Sequence, residues 1–108
     1  MNTQRTVLGG DEQALIFKAL GDAMRLRILA MLPPSPSCEK MKNVCQLVEV
    51  LGGSQPNMSR HLKILKQAGL VRCQKTCSNA YYWRVPESFE ELREGLSCLA
   101  DRERGTGH

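Results

Sequence analysis

Between Ser54 and Arg84 the chain carries Arg60, Lys63, Lys66, Arg72, Lys75 and Arg84 and not one Asp or Glu. That stretch is +6 in a chain whose net charge is +4, so everything outside it sums to −2. Such segregation builds a positive field on one part of the surface, which draws in a polyanion at long range and raises its association rate. Interleaved with the cations are Ser54, Gln55, Asn57, Ser59 and His61. Gln and Asn pair bidentately with adenine, Arg with guanine, and Ser, Lys or a helix N-terminus with phosphate oxygens. The combination is the chemistry of double-stranded DNA recognition. Taken singly, each charge is more simply a solvated helix face, and His61 a hydrogen-bonded residue at the rim of a core; the unbroken run makes the case.

Five cysteines form the second set with chemistry to offer: Cys38, Cys45, Cys73, Cys77 and Cys98. The spacings Cys38 to Cys45 and Cys73 to Cys77 are not CxxC knuckles, and an odd count without a secretory signal argues against a disulfide framework. Thiolates suit As(III), Cd(II) or Zn(II), and an exposed thiol of lowered pKa also suits a redox or persulfide switch. Cys38 with Cys45 is the preferred pair, with Cys73 or Cys77 joining from a neighbouring segment. For Cys98 the simpler reading is a small buried hydrophobe. Catalysis would require a nucleophile beside a base, and the only well-placed histidine lies in the basic stretch, so an enzyme is disfavoured.

The elements that must position these residues follow from periodicity and punctuation. Leu15, Ile16, Ala19 and Leu20 give a first helix with Asp11 as N-cap and Gly21 as its stop; Asp22 caps a second, Ala23 to Leu32, closed by Pro33-Pro34. Pro33 to Asn43 reads as loop. Val44, Leu47, Val48 and Leu51 make a two-turn helix that Gly52-Gly53 ends. Ser54 then caps a fourth helix, with Pro56 in its first turn, Met58, Leu62 and Leu65 on its apolar face, and Gly69 as its stop. Two short helices joined by a glycine turn, the second basic, form a helix-turn-helix. From Leu70 to Val85, with Ser78-Asn79 as the turn, the residues read as a β-hairpin or wing. There Tyr81, Tyr82 and Trp83 serve packing, and Lys75 and Arg84 are the candidate backbone contacts.

A last helix, about 88–102, sets Phe89, Leu92, Leu96 and Leu99 on one stripe, the expected dimer contact. An aromatic fraction of 5% leaves the core to aliphatic side chains, which favours packed helices. The expectation is one domain spanning 1–108, mainly α with a small β-hairpin. Its parts are a helix-turn-helix at about 44–68, a wing at about 70–85 and a C-terminal helix. No apolar run approaches the ~20 residues that cross a bilayer, and Met1 to Gly10 lacks a signal-peptide block, so the expected address is the cytosol, with no membrane partner.

Three segments also carry a family resemblance: LGDAMRLRILAML from Leu20, LVEVLGGSQPNMSRHLKILKQAGLV from Leu47, and YYWRV from Tyr81. They resemble the ArsR/SmtB transcriptional repressors, whose typical SQPxxSxHLxxLxxAGL is matched from Ser54 to Leu70. The resemblance implies a winged helix that dimerises through its first and last helices and represses an operon until an inducer weakens its hold on operator DNA. Arsenic- and cadmium-responsive members commonly show Cys-Val-Cys where this chain has Asn43-Val44-Cys45, so the first thiol is missing. Zinc or nickel members use Asp and His pairs on the last helix, which here has no histidine between Ser88 and Arg104. A winged helix serving protein interaction without DNA stays open as the alternative from another class.

Overall fold

The computed structural model describes residues 10–36 and 40–106. Five helices and one hairpin follow in the order α1 (Asp11–Leu20), α2 (Ala23–Met31), α3 (Val44–Leu51), α4 (Gln55–Gln67), β1 (Val71–Thr76), β2 (Asn79–Arg84) and α5 (Pro86–Thr106). The expected mainly helical architecture with a β-hairpin is therefore present.

Two of the helix starts are set by the predicted side chains. Asp22 Oδ1 accepts from the backbone N–H groups of Met24 at 2.8 Å and Arg25 at 3.2 Å, satisfying two donors that have no partner within the helix. Ser54 Oγ accepts from Asn57 N–H at 3.2 Å, and Pro56 in the first turn forfeits no hydrogen bond there. The start of α1 differs from the expectation. Gly10, not Asp11, is the N-cap, and Gln13 Oε1 accepts from Gly10 N–H at 3.2 Å. Asp11 instead lies inside the first turn, where its charge complements the helix dipole.

Beneath these helices lies one aliphatic core. Ile28, Leu47, Leu62, Leu65 and Leu70 are wholly inaccessible to solvent, and Met58 and Val71 nearly so. Residues from α2, α3, α4 and the hairpin meet there, with Ala19 of α1 at the edge. Val71 pairs with Arg84 at the base of the antiparallel hairpin and Thr76 with Asn79 at its tip.

That register leaves Cys77 and Ser78 as the turn, displacing the expected Ser78-Asn79. Cys77 takes φ 56°, a left-handed conformation that a non-glycine side chain resists. The segment read as loop also contributes to the sheet edge. Met41 is buried, and Lys42 forms an isolated antiparallel bridge with Tyr82, whose N–H donates to Lys42 O at 2.9 Å. Finally, α5 begins two residues earlier than expected and continues to Thr106, so Gly105 lies within it.

Candidate nucleic-acid interface

The turn between α3 and α4 fixes how the basic helix is presented. Gly52 and Gly53 stand at φ 87° and 88°, and the two residues in succession reverse the chain through a backbone conformation that side-chain-bearing residues would strain to adopt. From there α4 splits into two faces. Met58, Leu62 and Leu65 point into the core, while Gln55, Asn57, Ser59, Arg60, Lys63 and Lys66, together with the cap Ser54, are exposed. All seven belong to the set expected from sequence, and the fold brings them onto one continuous outer surface. Within it Arg60 Nη1 donates to Asn57 Oδ1 at 3.0 Å, so two candidate base-reading side chains hold each other one turn from the helix start.

His61 sits differently. It is half-buried, and its Nδ1 lies 3.1 Å from Arg25 Nη1. A guanidinium only donates, so Nδ1 must accept and the ring proton resides on Nε2. Arg25 Nε in turn donates to Ala19 O at 2.7 Å. The contact ties α4 to α2 and the end of α1, so His61 serves positioning as well as any outward role. Arg25 was not readable as part of this site, because its partner lies 36 positions along the chain.

In the hairpin, Lys75 is exposed near the tip, opposite Ala80. Arg72, also exposed, pairs across the strands with Trp83. Arg84 departs from the expectation. It is half-buried, and its Nε donates to Leu32 O at 3.0 Å while its backbone N–H donates to Pro33 O at 2.9 Å. Its guanidinium closes the wing against the end of α2, where the buried carbonyl needs a donor.

The four described cysteines lie on different elements or at different levels of the wing. Cys38 lies outside the described residues. Cys45 is exposed in the first turn of α3, and Gln55 Nε2 donates to its Sγ at 3.0 Å. Cys73 is half-buried opposite Tyr82, whose hydroxyl burial pushes above its usual range, and Cys77 is exposed at the wing tip. Cys73 lies mid-strand and Cys77 in the turn beyond the strand's end, and with a rise of ~3.3 Å per strand residue between them the two are too distant to share one ion. Cys98 on α5 is exposed, against the expectation of burial. Among the described residues no three His, Cys, Asp or Glu side chains are placed to hold a metal.

The expected dimer stripe is divided. Phe89 packs on the core of its own chain and Leu92 is half-buried, whereas Leu96 and Leu99 are 46% and 49% exposed. On α1, Leu15 and Phe17 are similarly uncovered. No helix among the described residues is long and apolar enough to cross a membrane.

The model of the bacterial regulatory proteins of the arsR family matches residues 22–72, from the cap of α2 through α4 to the first residues of β1. An uncharacterised helix-turn-helix-type transcriptional regulator of Methanocaldococcus jannaschii is 39% identical over 83 residues, covering 76% of this chain and 88% of that protein. The arsenical resistance operon repressor of Bacillus subtilis is 35% identical over 92 residues, covering 84% of this chain and 83% of its own. Among solved structures, the homodimeric winged helix-turn-helix DNA-binding domain of a possible ArsR-family regulator from Mycobacterium bovis superimposes with a TM-score of 0.63. It is 26% identical, with 91% of this chain and 85% of that one covered. With its helix-turn-helix, its hairpin wing and these relatives, the chain belongs to the arsR family of bacterial transcriptional regulators.

Proposed function

We propose that this protein is a cytoplasmic transcriptional repressor that binds double-stranded operator DNA as a homodimer and leaves it when a thiophilic inducer acts on Cys45. The observation that carries the reading is the outer face of α4. There Ser54, Gln55, Asn57, Ser59, Arg60, Lys63 and Lys66 are all exposed on the second helix of a helix-turn-helix, within a segment that has no acid. The second helix of such a pair enters the major groove with its N-terminal residues at base edges, so Gln55 and Asn57 meet bases and Lys63 and Lys66 meet phosphates. Lys75 on the wing adds a backbone contact, His61 offers its Nε2–H at the margin, and Arg84 keeps the wing in place.

Exposed Phe17 on α1 with Leu96 and Leu99 on α5 supply the apolar surface for a second copy, which sets two α4 helices against two half-sites about one helical turn apart. The relation to a repressor of arsenical resistance favours As(III), and a thiolate suits Cd(II) or Zn(II) as well. The described residues alone do not complete a metal centre, so a metal's further donors come from Cys38 or from the partner subunit. The choice of Cys45 is supported by its neighbour: a reagent that captures Cys45 Sγ competes with the hydrogen bond from Gln55, a base-reading candidate.

The test titrates reduced protein against its own upstream DNA by fluorescence anisotropy, alone and with As(III), Cd(II) or Zn(II), using Cys45→Ser as control. Tight binding that one of these ions reverses in the parent and not in the variant supports the proposal. Absence of tight DNA binding under every condition refutes the repressor, and release that survives in Cys45→Ser refutes the thiol.

A further inference from the structure

Between α1 and the C-terminal half of α4 lies a cavity of about 260 Å³. Its apolar wall is Leu15 and Ala19 from α1 with Ile64 and Ala68 from α4, and its charged members are Lys18 and Arg25. A cavity of about 150 Å³ accommodates benzene, so this one has room for a single ring and a polar substituent. Leu15 is 50% exposed at its lip, an apolar surface that an occupant would remove from water.

The charges decide what that substituent is. No acidic side chain is among those lining the cavity. The nearby Asp22 carboxylate is already committed to the backbone N–H groups of Met24 and Arg25. Arg25 is held by Nε on Ala19 O at 2.7 Å and Nη1 on His61 at 3.1 Å, while Nη2 reaches Lys18 O only at 3.4 Å. That last contact is long for an N–H···O bond, so an anion can replace it without loss to the fold. An exposed ammonium on the same rim, that of Lys18, completes a pair of cations beside an apolar slot.

We infer that this cavity is a binding site for a small hydrophobic monocarboxylate, of the size of an aromatic or branched-chain acid. Its ring or chain lies against Leu15, Ile64 and Ala68, and its carboxylate meets Arg25 Nη2 and Lys18 Nζ. Binding is coupled to α4 because Arg25 is the residue that holds His61. A carboxylate drawing the guanidinium toward the cavity weakens the hydrogen bond to His61 Nδ1 and loosens the setting of the helix. The site stands on its own geometry; only its consequence for operator affinity rests on the repressor reading.

The experiment follows amide resonances of the full-length ¹⁵N-labelled protein as benzoate or its neutral amide, benzamide, is added. Benzoate is expected to shift Ala19, Ile64 and Ala68, with benzamide about tenfold or more weaker, the scale of one charge-assisted hydrogen bond. Lys18→Gln, at an exposed position, brings benzoate toward the benzamide affinity, and Ala68→Leu fills the cavity and abolishes both. In the operator assay benzoate lowers the affinity of the parent, within the 5–150-fold range usual for coupled sites, and leaves Ala68→Leu unaffected. Absence of shifts, equal binding of acid and amide, or full binding by Ala68→Leu overturns the site, including the case where a second copy already closes the cavity. Shifts without any operator binding would sink the repressor reading and leave the carboxylate site standing.

Discussion

Replacing Arg60 and Lys63 together by Ala removes two exposed cations, three positions apart on the outer face of α4, without touching Met58, Leu62 or Leu65 beneath them. Surface changes of this kind usually stay within about 0.5 kcal/mol of the parent stability, so an unchanged melting temperature shows that the helix is still in place. Each phosphate contact contributes about 0.9 to the slope of log K against log salt. A dimer presents both cations twice, so four lost contacts flatten the slope by about 3.6. Between 50 and 200 mM salt that difference narrows the affinity gap between parent and variant by about two orders of magnitude. Fluorescence anisotropy on the operator at four salt concentrations measures it. Arg60 is braced by Asn57 Oδ1 at 3.0 Å, a posture suited to a base edge. If Arg60 reads guanine, the slope falls by about 1.8, from the two Lys63 residues alone, and discrimination against operators substituted at one base pair falls with it. A slope equal to the parent's, in a variant that melts as the parent does, refutes the assignment of this face.

Three further outcomes test the scaffold. Cys77→Gly relieves about 1–2 kcal/mol of left-handed strain against about 0.5–1 kcal/mol of added chain entropy. The variant should therefore gain about 0.5–1 kcal/mol and melt a few degrees higher; a lower melting temperature contradicts the turn geometry. Leu62→Ala, at a wholly buried position, should cost about 2–5 kcal/mol, seen as a lower urea midpoint at constant m-value. The hydrogen bond from the Arg25 backbone, then that from Met24, holds the Asp22 carboxyl below its ordinary 3.8. A depressed folded pKa stabilises the protein above the unfolded value and loses that stabilisation as pH falls through the folded one. The acid limb of stability below about pH 4 should thus be shallower in Asp22→Asn than in the parent, and superimposable limbs would show that the cap carries no linkage.

What was legible in the sequence was local. Asp22 and Ser54 announce their helices because a cap needs only the residues two and three positions on, and Gly52-Gly53 announce the turn because few other residues tolerate two left-handed conformations in a row. The heptad-like spacing of Met58, Leu62 and Leu65 likewise implies its own buried face. What was not legible was made by contacts between distant segments. Lys42 joins the sheet edge through Tyr82, Arg84 turns inward to Leu32 O, and Arg25 finds His61 across 36 positions. Phe89 shares a stripe with Leu96 and Leu99, yet it is spent on the chain's own core because α5 begins at Pro86, close to where β2 delivers it. The hairpin turn misled for the opposite reason. Ser-Asn has the turn chemistry, but pairing of Thr76 with Asn79 sets the register, and Cys77 must take the strained conformation.

The two proposed sites of control meet α4 at opposite ends of its length. At the N-terminal end Gln55 donates to Cys45 Sγ, so chemistry on the thiol acts on a single candidate reading side chain without requiring the helix to move. Further along, His61 is held by Arg25, and Ile64 and Ala68 line the cavity, so occupancy there acts on the placement of the helix itself. The two modes differ in what they do to specificity. Loss of one base-edge contact lowers affinity for the operator more than for random DNA, whereas a helix displaced from the groove loses phosphate contacts that both kinds of DNA share. Thiol capture therefore erodes discrimination first, and cavity occupancy lowers all DNA binding together. The ratio of operator to random-sequence affinity under each ligand separates the two mechanisms even where the total loss of binding is the same.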